Sequence, residues 1–263
     1  MAQNLVTDLD KCLQLADVAD EITMRHFRAV SLHVEAKPDR TPVSDADLEA
    51  DRALRDIVTK EYGDAYLTEE GDQSHATGRQ WIADPIDGTK NFIRHNPVWG
   101  TLLSVQDETG TLAAVVSAPA LGRRWWAARG RGAWTRDING GVRQIHVSKV
   151  EKLKDAYLTV CSLLPWEKTP AGLEGIIQLM HDTWRERGFG DFLGHVFVAE
   201  GAVDCCIEPN THEWDMAAHA FIIEEAGGKV YTSTTPDMPA STERYVITSN
   251  GLIHAELLKA LKL

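Results

Sequence analysis

No stretch of this sequence approaches the roughly 18 consecutive apolar residues that a membrane-spanning helix needs, so no transmembrane segment and no membrane partner are expected. Cysteine is sparse. Cys12, Cys161, Cys205 and Cys206 follow no metal-binding spacing, and adjacent Cys205 and Cys206 rarely pair with each other. That usage reads as a reduced, cytoplasmic protein. Positive charge is also short: 27 Lys and Arg against 39 Asp and Glu leave a net charge of −12, which argues against a nucleic-acid partner. No G-x-S-x-G pattern occurs, and no serine, cysteine or histidine sits in a nucleophile motif. Repeats, low-complexity tracts and Pro/Ser linkers are missing too. The opening residues, MAQNLVTDLDKCLQLADVADE, are acidic and helical in pattern, unlike a signal peptide.

What is present is a run of unusual density: Trp81-Ile82-Ala83-Asp84-Pro85-Ile86-Asp87-Gly88-Thr89-Lys90-Asn91-Phe92. An apolar strand, Gln80 to Ala83, ends in two carboxylates three residues apart, with a stiffening proline between them. Carboxylates held so close repel unless a cation lies between them. Hard oxygen ligands suit Mg²⁺, which takes carboxylates, water and substrate phosphate. Gly88 and Thr89 then offer backbone N–H groups to a phosphate if a helix starts there. The same letters also describe an ordinary acidic turn, D-P-x-D-G. A second run, Glu213 to Gly228, carries Ala217, Ala218, Phe221, Ile222 and Ala226 at helical spacing and stops at Gly227-Gly228. Asp215 falls at its start, where a capping aspartate and a ligand look alike.

Together these runs resemble the signatures of the inositol monophosphatase superfamily, W-x-x-D-P-[IL]-D-G-T-x-N-F and W-D-x-A-A followed by E-A-G-G. Leu67-Thr68-Glu69-Glu70-Gly71 and Thr41-Pro42-Val43-Ser44-Asp45-Ala46-Asp47 match two further family segments, in order. The resemblance implies a Mg²⁺-dependent, lithium-sensitive phosphatase with two or three cations per site, a small-molecule phosphate monoester as substrate, and a homodimer. It implies metal ligands at Glu70, Asp84, the Ile86 carbonyl, Asp87 and Asp215. Gly88 and Thr89 would bind phosphate, and Thr89 with a helix-2 acid, Asp47 or in another register Asp45, would orient the attacking water. Glu70, Thr89 and Asp47 are thus the implied catalytic residues. Lys37 matches a family lysine near the site, although it also reads as a solvated loop residue.

The implied fold is mixed α/β (α+β), a five-layered αβαβα sandwich built as one domain over residues 1–263. Its halves divide near 150: residues 1–150 carry the phosphate motif and residues 151–263 the W-D motif. Periodicity alone gives less. It predicts a first helix through Leu9, Leu13, Ala16, Ala19, Ile22 and Phe27, and a second capped by Ser44. It predicts strands at Ala65–Thr68, Gln80–Ala83, Val98–Val105, Leu112–Ser117 and Arg124–Ala128, then a hairpin-like 130–148. The second half alternates: a strand near Leu158, helices at 173–184 and 192–200, a strand at 203–207, the W-D helix, a strand at 245–248 and a last helix.

Within the superfamily, the histidinol-phosphate phosphatase branch is closer than the inositol branch. Lys37-Pro38-Asp39-Arg40-Thr41-Pro42-Val43-Ser44-Asp45-Ala46-Asp47 resembles that branch's segment, as do Gly78 to Ile82, Ser117 to Ala127, Thr183 to Arg185 with Gly188 to Phe192, and Val198 to Asp204. Histidinol phosphate carries an amine and a protonatable imidazole, so its pocket should offer acids. Asp191 and Glu208 are the candidates, with Asn210 as a hydrogen-bond partner; all three also read as loop or strand-end residues. Two segments depart from the branch: Gly71-Asp72-Gln73 after the acidic pair, and the polar Glu208 to Trp214. An inositol-1-phosphate or broad sugar-phosphate phosphatase therefore remains the alternative, and a non-catalytic metal-binding protein the alternative of another class. His95 and His212 read as surface histidines that could also touch substrate, and Trp125-Trp126 as core or subunit contact.

Overall fold

In a computed structural model of the chain, residues 2–29, 32–37, 41–71, 77–233 and 242–263 are described, with side chains from residue 8 onward. Pro38, Asp39 and Arg40 of the branch-like segment, and Asp72 and Gln73 after the acidic pair, lie outside the described residues.

The chain runs from α1 (Ala2–His26) through a short hairpin, β1 (Val34–Ala36) and β2 (Pro42–Ser44), into α2 (Asp45–Asp56). It continues with β3 (Ala65–Thr68), β4 (Gln80–Asp87) and a short α3 (Thr89–Ile93), then β5 (Gly100–Asp107), β6 (Gly110–Ala118), β7 (Arg123–Ala128), β8 (Ala133–Arg136) and β9 (Val142–Ile145). After these come β10 (Tyr157–Val160), α4 (Gly172–Asp182), β11 (Arg185–Arg187), α5 (Asp191–Ala199), β12 (Cys205–Thr211) and α6 (Glu213–Glu225). The chain closes with β13 (Lys229–Thr232), β14 (Arg244–Ser249) and α7 (His254–Ala260).

Two sheets organise these elements. A seven-stranded sheet keeps sequence order from β3 to β9, parallel at β3/β4 and antiparallel elsewhere. A five-stranded sheet has the order β11-β10-β12-β14-β13. In the first sheet β4, β5 and β6 are buried along most of their length, not in alternation, because helices cover both faces. On the outer face, Cys12, Leu15, Ala16 and Ala19 of α1 and Leu54 of α2 pack on Trp81, Ala83, Leu103, Val105 and Val115. On the inner face, Phe221, Ile222 and Ile223 of α6 and Leu193 and Val196 of α5 pack on Leu102, Val116 and Trp125. Beyond the second sheet, Ile176 and Leu179 of α4 and Leu257 of α7 cover Leu158, Cys205, Ile207 and Ile247. The order is therefore helix, sheet, helix, sheet, helix, the five-layered αβαβα sandwich.

The differences from the sequence reading have simple causes. β4 does not stop at Ala83 but runs to Asp87, because acids at a buried cleft occupy strand positions that usually hold apolar residues. β1, β2 and β11 are three residues each, too short to show a period, and β11 is the exposed, charged edge Arg185-Glu186-Arg187. α4 ends at Asp182, and Trp184 lies 67% exposed beyond it.

The inner layer is held close by Gly194 on α5. A methyl group there would lie 2.9 Å from Cys206 Sγ and 3.1 Å from Thr159 Cγ2. Exchanging Gly for Ala within a helix normally stabilises it by about 1 kcal/mol, but overpacking costs about 1–3 kcal/mol. Gly194→Ala is therefore expected to lower stability by roughly 1 kcal/mol in urea unfolding. A gain in stability would show that α5 can shift outward without loss.

Candidate active site

Asp84 and Asp87 are three residues apart on β4, so strict strand alternation would point them to opposite faces. They share one cleft because β4 holds an extra residue. Asp84 pairs with Leu102 and Asp87 with Gly100, so three steps on β4 match two on β5. Pro85, which has no N–H to donate, sits in this bulge, and its carbonyl accepts the Thr101 hydroxyl at 2.8 Å. Asp84 Oδ1 accepts the Ile86 N–H at 2.9 Å. β12 repeats the device: Glu208 pairs with Val246 and Thr211 with Arg244, again one residue in excess. Pro209 and Asn210 lie in that bulge, and Asn210 takes a φ of 55°. Two proline-bearing bulges, one per sheet, thus line the cleft.

Three helix starts supply the remaining groups. Gly88, at φ 85°, precedes α3 and leaves the first N–H groups of that helix without intrahelical partners. A side chain at Gly88 would approach the Val98 carbonyl at 3.1 Å and Asp191 Oδ2 at 3.4 Å. At the start of α2, Asp47 Oδ2 accepts both the Ser44 N–H (2.8 Å) and the Ser44 hydroxyl (2.5 Å). Its Oδ1 faces the Thr89 hydroxyl at 3.2 Å, which also lies 3.0 Å from the Ile86 carbonyl. Asp47, not the exposed Asp45, is therefore the acid beside Thr89. At the start of α6, Asp215 Oδ2 accepts the His212 N–H at 2.6 Å, so Asp215 both caps its helix and faces the cleft.

α5 joins the two bulges. Asp87 Oδ2 accepts the Phe192 N–H at 2.9 Å, and Asn91 Nδ2 donates to Asp191 Oδ2 at 2.7 Å. The resulting cleft, about 190 Å³, is walled by six carboxylates, those of Glu69, Asp84, Asp87, Asp191, Glu208 and Asp215. Ile86, Gly88, Thr89 and Asn210 also line it, and Lys90 is the one basic side chain among the described lining residues.

Such crowding disfavours charge. Burial, and then Glu69, Asp87 and Asp215, push the Asp84 carboxyl well above its ordinary range. Asp87 is raised by burial and by Asp191 and Asp215. Burial, Glu208 and Asp215 push Asp191 up to about 7. Glu69 also reaches about 7, because burial and Asp215 outweigh Lys37. Asp84, Asp87 and Asp215 each offer an oxygen within 4.8 Å of the others. Hard oxygen donors, buried at Asp84, half-buried at Asp87 and Asp215, and mutually repelling, fit a hard divalent cation such as Mg²⁺.

Glu70 was expected as a ligand, but the acid in the cleft wall is its neighbour Glu69. β3 ends at Thr68, and the turn that follows breaks the alternation on which a choice within the pair would rest. Glu70 instead lies near Asp47 and Asp51. Lys37 bridges the two, 2.6 Å from Glu69 and 2.5 Å from Glu70, so it is a half-buried ion-pair partner and not a solvated loop lysine. Neither His95 nor His212 lines the cleft; His95 is exposed, and His212 stacks on Trp214 with ring centroids 4.8 Å apart. Trp125 is wholly buried in the core. His195, a lone histidine in an apolar helix, gave no signal in the sequence. It is buried and holds Glu208 at 2.8 Å through Nε2.

Residues 5–262 match the inositol monophosphatase family. The chain is 44% identical over 256 residues to a histidinol-phosphatase of Mycobacterium tuberculosis, with 97% of each chain covered. It is 44% identical over 257 residues to a histidinol-phosphatase of Streptomyces coelicolor, covering 95% of each. Among solved structures, the Thermotoga maritima IMPase superposes with a TM-score of 0.81 at 31% identity, over 97% of this chain and 96% of that one.

Proposed function

The chain belongs to the inositol monophosphatase family of metal-dependent phosphatases, and from that premise we propose that it hydrolyses L-histidinol phosphate to L-histidinol and phosphate. The observation that supports this substrate is the excess of carboxylates in the cleft, six against one lysine among the described lining residues. Asp84, Asp87 and Asp215 offer oxygens for a cation cluster, which leaves Asp191 and Glu208 for a cationic leaving group. The 44% identity to two histidinol-phosphatases supports the same reading.

We assign the metal ligands to Asp84, Asp87, Asp215, the Ile86 carbonyl and Glu69, the last in place of Glu70. Two or three Mg²⁺ ions bound there would neutralise the phosphate dianion and lower the pKa of a bound water. The Gly88 and Thr89 N–H groups hold the phosphate oxygens. Asp47 fixes the Thr89 hydroxyl, which donates to it, so that the Thr89 oxygen can accept a hydrogen bond from the attacking water and aim that water at phosphorus. Asn91 fixes the Asp191 carboxylate, and Asp191 with Glu208 pairs with the ammonium and imidazolium of the substrate. No covalent phospho-enzyme is required.

The test is kcat/KM for histidinol phosphate, inositol-1-phosphate and adenosine 3′,5′-bisphosphate. Histidinol phosphate should be preferred. A charged hydrogen bond contributes about 1.5–3 kcal/mol, so Asp191→Asn should cost histidinol phosphate roughly tenfold to a hundredfold and leave an uncharged sugar phosphate nearly unchanged. Equal losses on both esters would make Asp191 structural. A wild-type preference for inositol-1-phosphate would overturn the substrate while leaving the metal chemistry standing.

A further inference from the structure

Behind the cleft wall lies a cluster the phosphatase reaction does not use. Cys161, at the end of β10, donates its N–H to the Ile207 carbonyl of β12, and Cys206 stands on β12 beside it. α5 lays His195 against both. Cys206 Sγ is 3.6 Å from His195 Nε2, and one ligand atom from each of Cys161, Cys206 and His195 lies within 4.8 Å of the others. Gly194 permits this approach, since a methyl group there would meet Cys206 Sγ.

We propose that Cys161, Cys206 and His195 form a second metal site, distinct from the carboxylate cluster, that takes one soft or borderline divalent cation of the zinc class. Four observations support it. In a tetrahedral zinc site, with Zn–S near 2.3 Å and Zn–N near 2.0–2.1 Å, a sulfur and a nitrogen are about 3.5 Å apart, and the Cys206–His195 spacing already has this value. Thr248 Oγ1 lies 2.9 Å from His195 Nδ1, the support that holds a ligating imidazole in one tautomer with Nε2 facing the metal. Thiolate and imidazole donors select zinc-class cations, whereas the oxygen-only cleft selects magnesium. Finally, Cys161 is not sealed in: it lines a side cavity of about 360 Å³ together with Phe189, Asp191 and Glu208, which gives the cation an entry path.

The charge state suits capture. Burial works against a Cys206 thiolate, but Cys161 and His195 pull its pKa down to about 7. Burial likewise opposes charge on His195, yet Cys206 and Glu208 raise it to about 10. Cation binding forms two metal–sulfur bonds and one metal–nitrogen bond. It expels the proton of the Cys161 thiol and the proton of His195 Nε2. The hydrogen bond from Nε2 to Glu208 is lost in the exchange, so Glu208 turns to the fourth position on the cation or is freed into the cleft. His219, though stacked on His195 with centroids 4.1 Å apart and planes 2° apart, is not a ligand. Lone pairs lie in the ring planes, and those of two parallel rings do not converge on one cation.

This inference goes beyond the phosphatase reading and does not depend on the substrate. The test uses the reduced, Mg²⁺-saturated full chain titrated with Co²⁺ as a spectroscopic substitute for zinc. A thiolate-to-cobalt charge-transfer band should saturate at one equivalent, with release of about two protons per cation. The band should persist in Asp84→Asn, which alters only the oxygen cluster. It should weaken in affinity by on the order of tenfold to a hundredfold in Thr248→Val, and vanish in Cys161→Ser and Cys206→Ser. Zn²⁺ should also slow alkylation of Cys161 in the wild-type protein, which keeps the test open if a serine variant folds poorly. Absence of the band in Mg²⁺-saturated wild type, its survival in the Cys161→Ser, Cys206→Ser double variant, or unprotected Cys161 in the presence of Zn²⁺ would each overturn the proposal.

Discussion

Asp84→Asn is expected to cut phosphate release by about a hundredfold to a thousandfold and, in EDTA, to raise the melting temperature of the protein. Both effects have one cause. Asp84 is buried among Glu69, Asp87 and Asp215 with no basic partner among the described residues, so as a ligand it would bind a cation strongly, and without one it repels its neighbours. Amide for carboxylate keeps the shape, removes one charge, and gives up the cation to relieve the repulsion. The metal-free wild type should show a pH signature of the same strain. Its Asp84 and Asp87 carboxyls are raised, and Glu69 and Asp191 move from 4.5 and 3.8 to about 7. Between the ordinary and the raised values the folded state holds more protons than the unfolded chain, so stability falls as pH rises through that window. Melting temperature in EDTA should therefore drop as pH rises from about 4 to 7, less steeply in Asp84→Asn and not at all with saturating Mg²⁺. Undiminished turnover in the variant would remove Asp84 from the ligand set. An unchanged melting temperature would show that the cluster carries no strain.

Much of this arrangement could be read from the letters alone, and the part that could not has identifiable reasons. Asp84, Asp87, Thr89 and Asp215 stand out through the two runs that resemble family signatures, since by local pattern alone Asp84 and Asp87 read equally as an acidic turn and Asp215 as a helix cap. That Asp84 and Asp87 face the same way depends on the bulge in β4, and an inserted residue leaves no mark on spacing when the strand is read without its partner. Asp191 and Glu208 were legible only as acids. Their convergence depends on Asp87 accepting the Phe192 N–H across 105 residues of chain. The cysteines gave no metal spacing because Cys161 and Cys206 meet through strand pairing, and their third member, His195, sits in a helix whose other residues after Asp191 are apolar. Helix periodicity placed most of α1, α2, α5 and α6, whereas edge strands of three residues have too few side chains to show a period.

The choice between Glu69 and Glu70 is the sharpest test of where the sequence resemblance and the geometry part. Two adjacent glutamates at a strand end are equivalent to any pattern argument, and a shift of one residue exchanges them. The geometry separates them. Glu69 lies in the cleft wall and feels Asp215, whereas Glu70 lies toward Asp47 and Asp51 behind the wall. Lys37 bonds both, so each glutamine variant leaves Lys37 one carboxylate partner, and the loss of an ion pair cancels in the comparison. What remains is the cleft itself. Glu69→Gln should lower kcat by about a hundredfold or more and raise the Mg²⁺ concentration needed for half-maximal rate. Glu70→Gln should stay within roughly tenfold of wild type, the reach of a positioning effect through Lys37. Measuring kcat against Mg²⁺ concentration for both variants decides it. A deeper loss in Glu70→Gln, with its Mg²⁺ requirement raised, would return the ligand role to Glu70 and mean that the turn after β3 rearranges when cations bind.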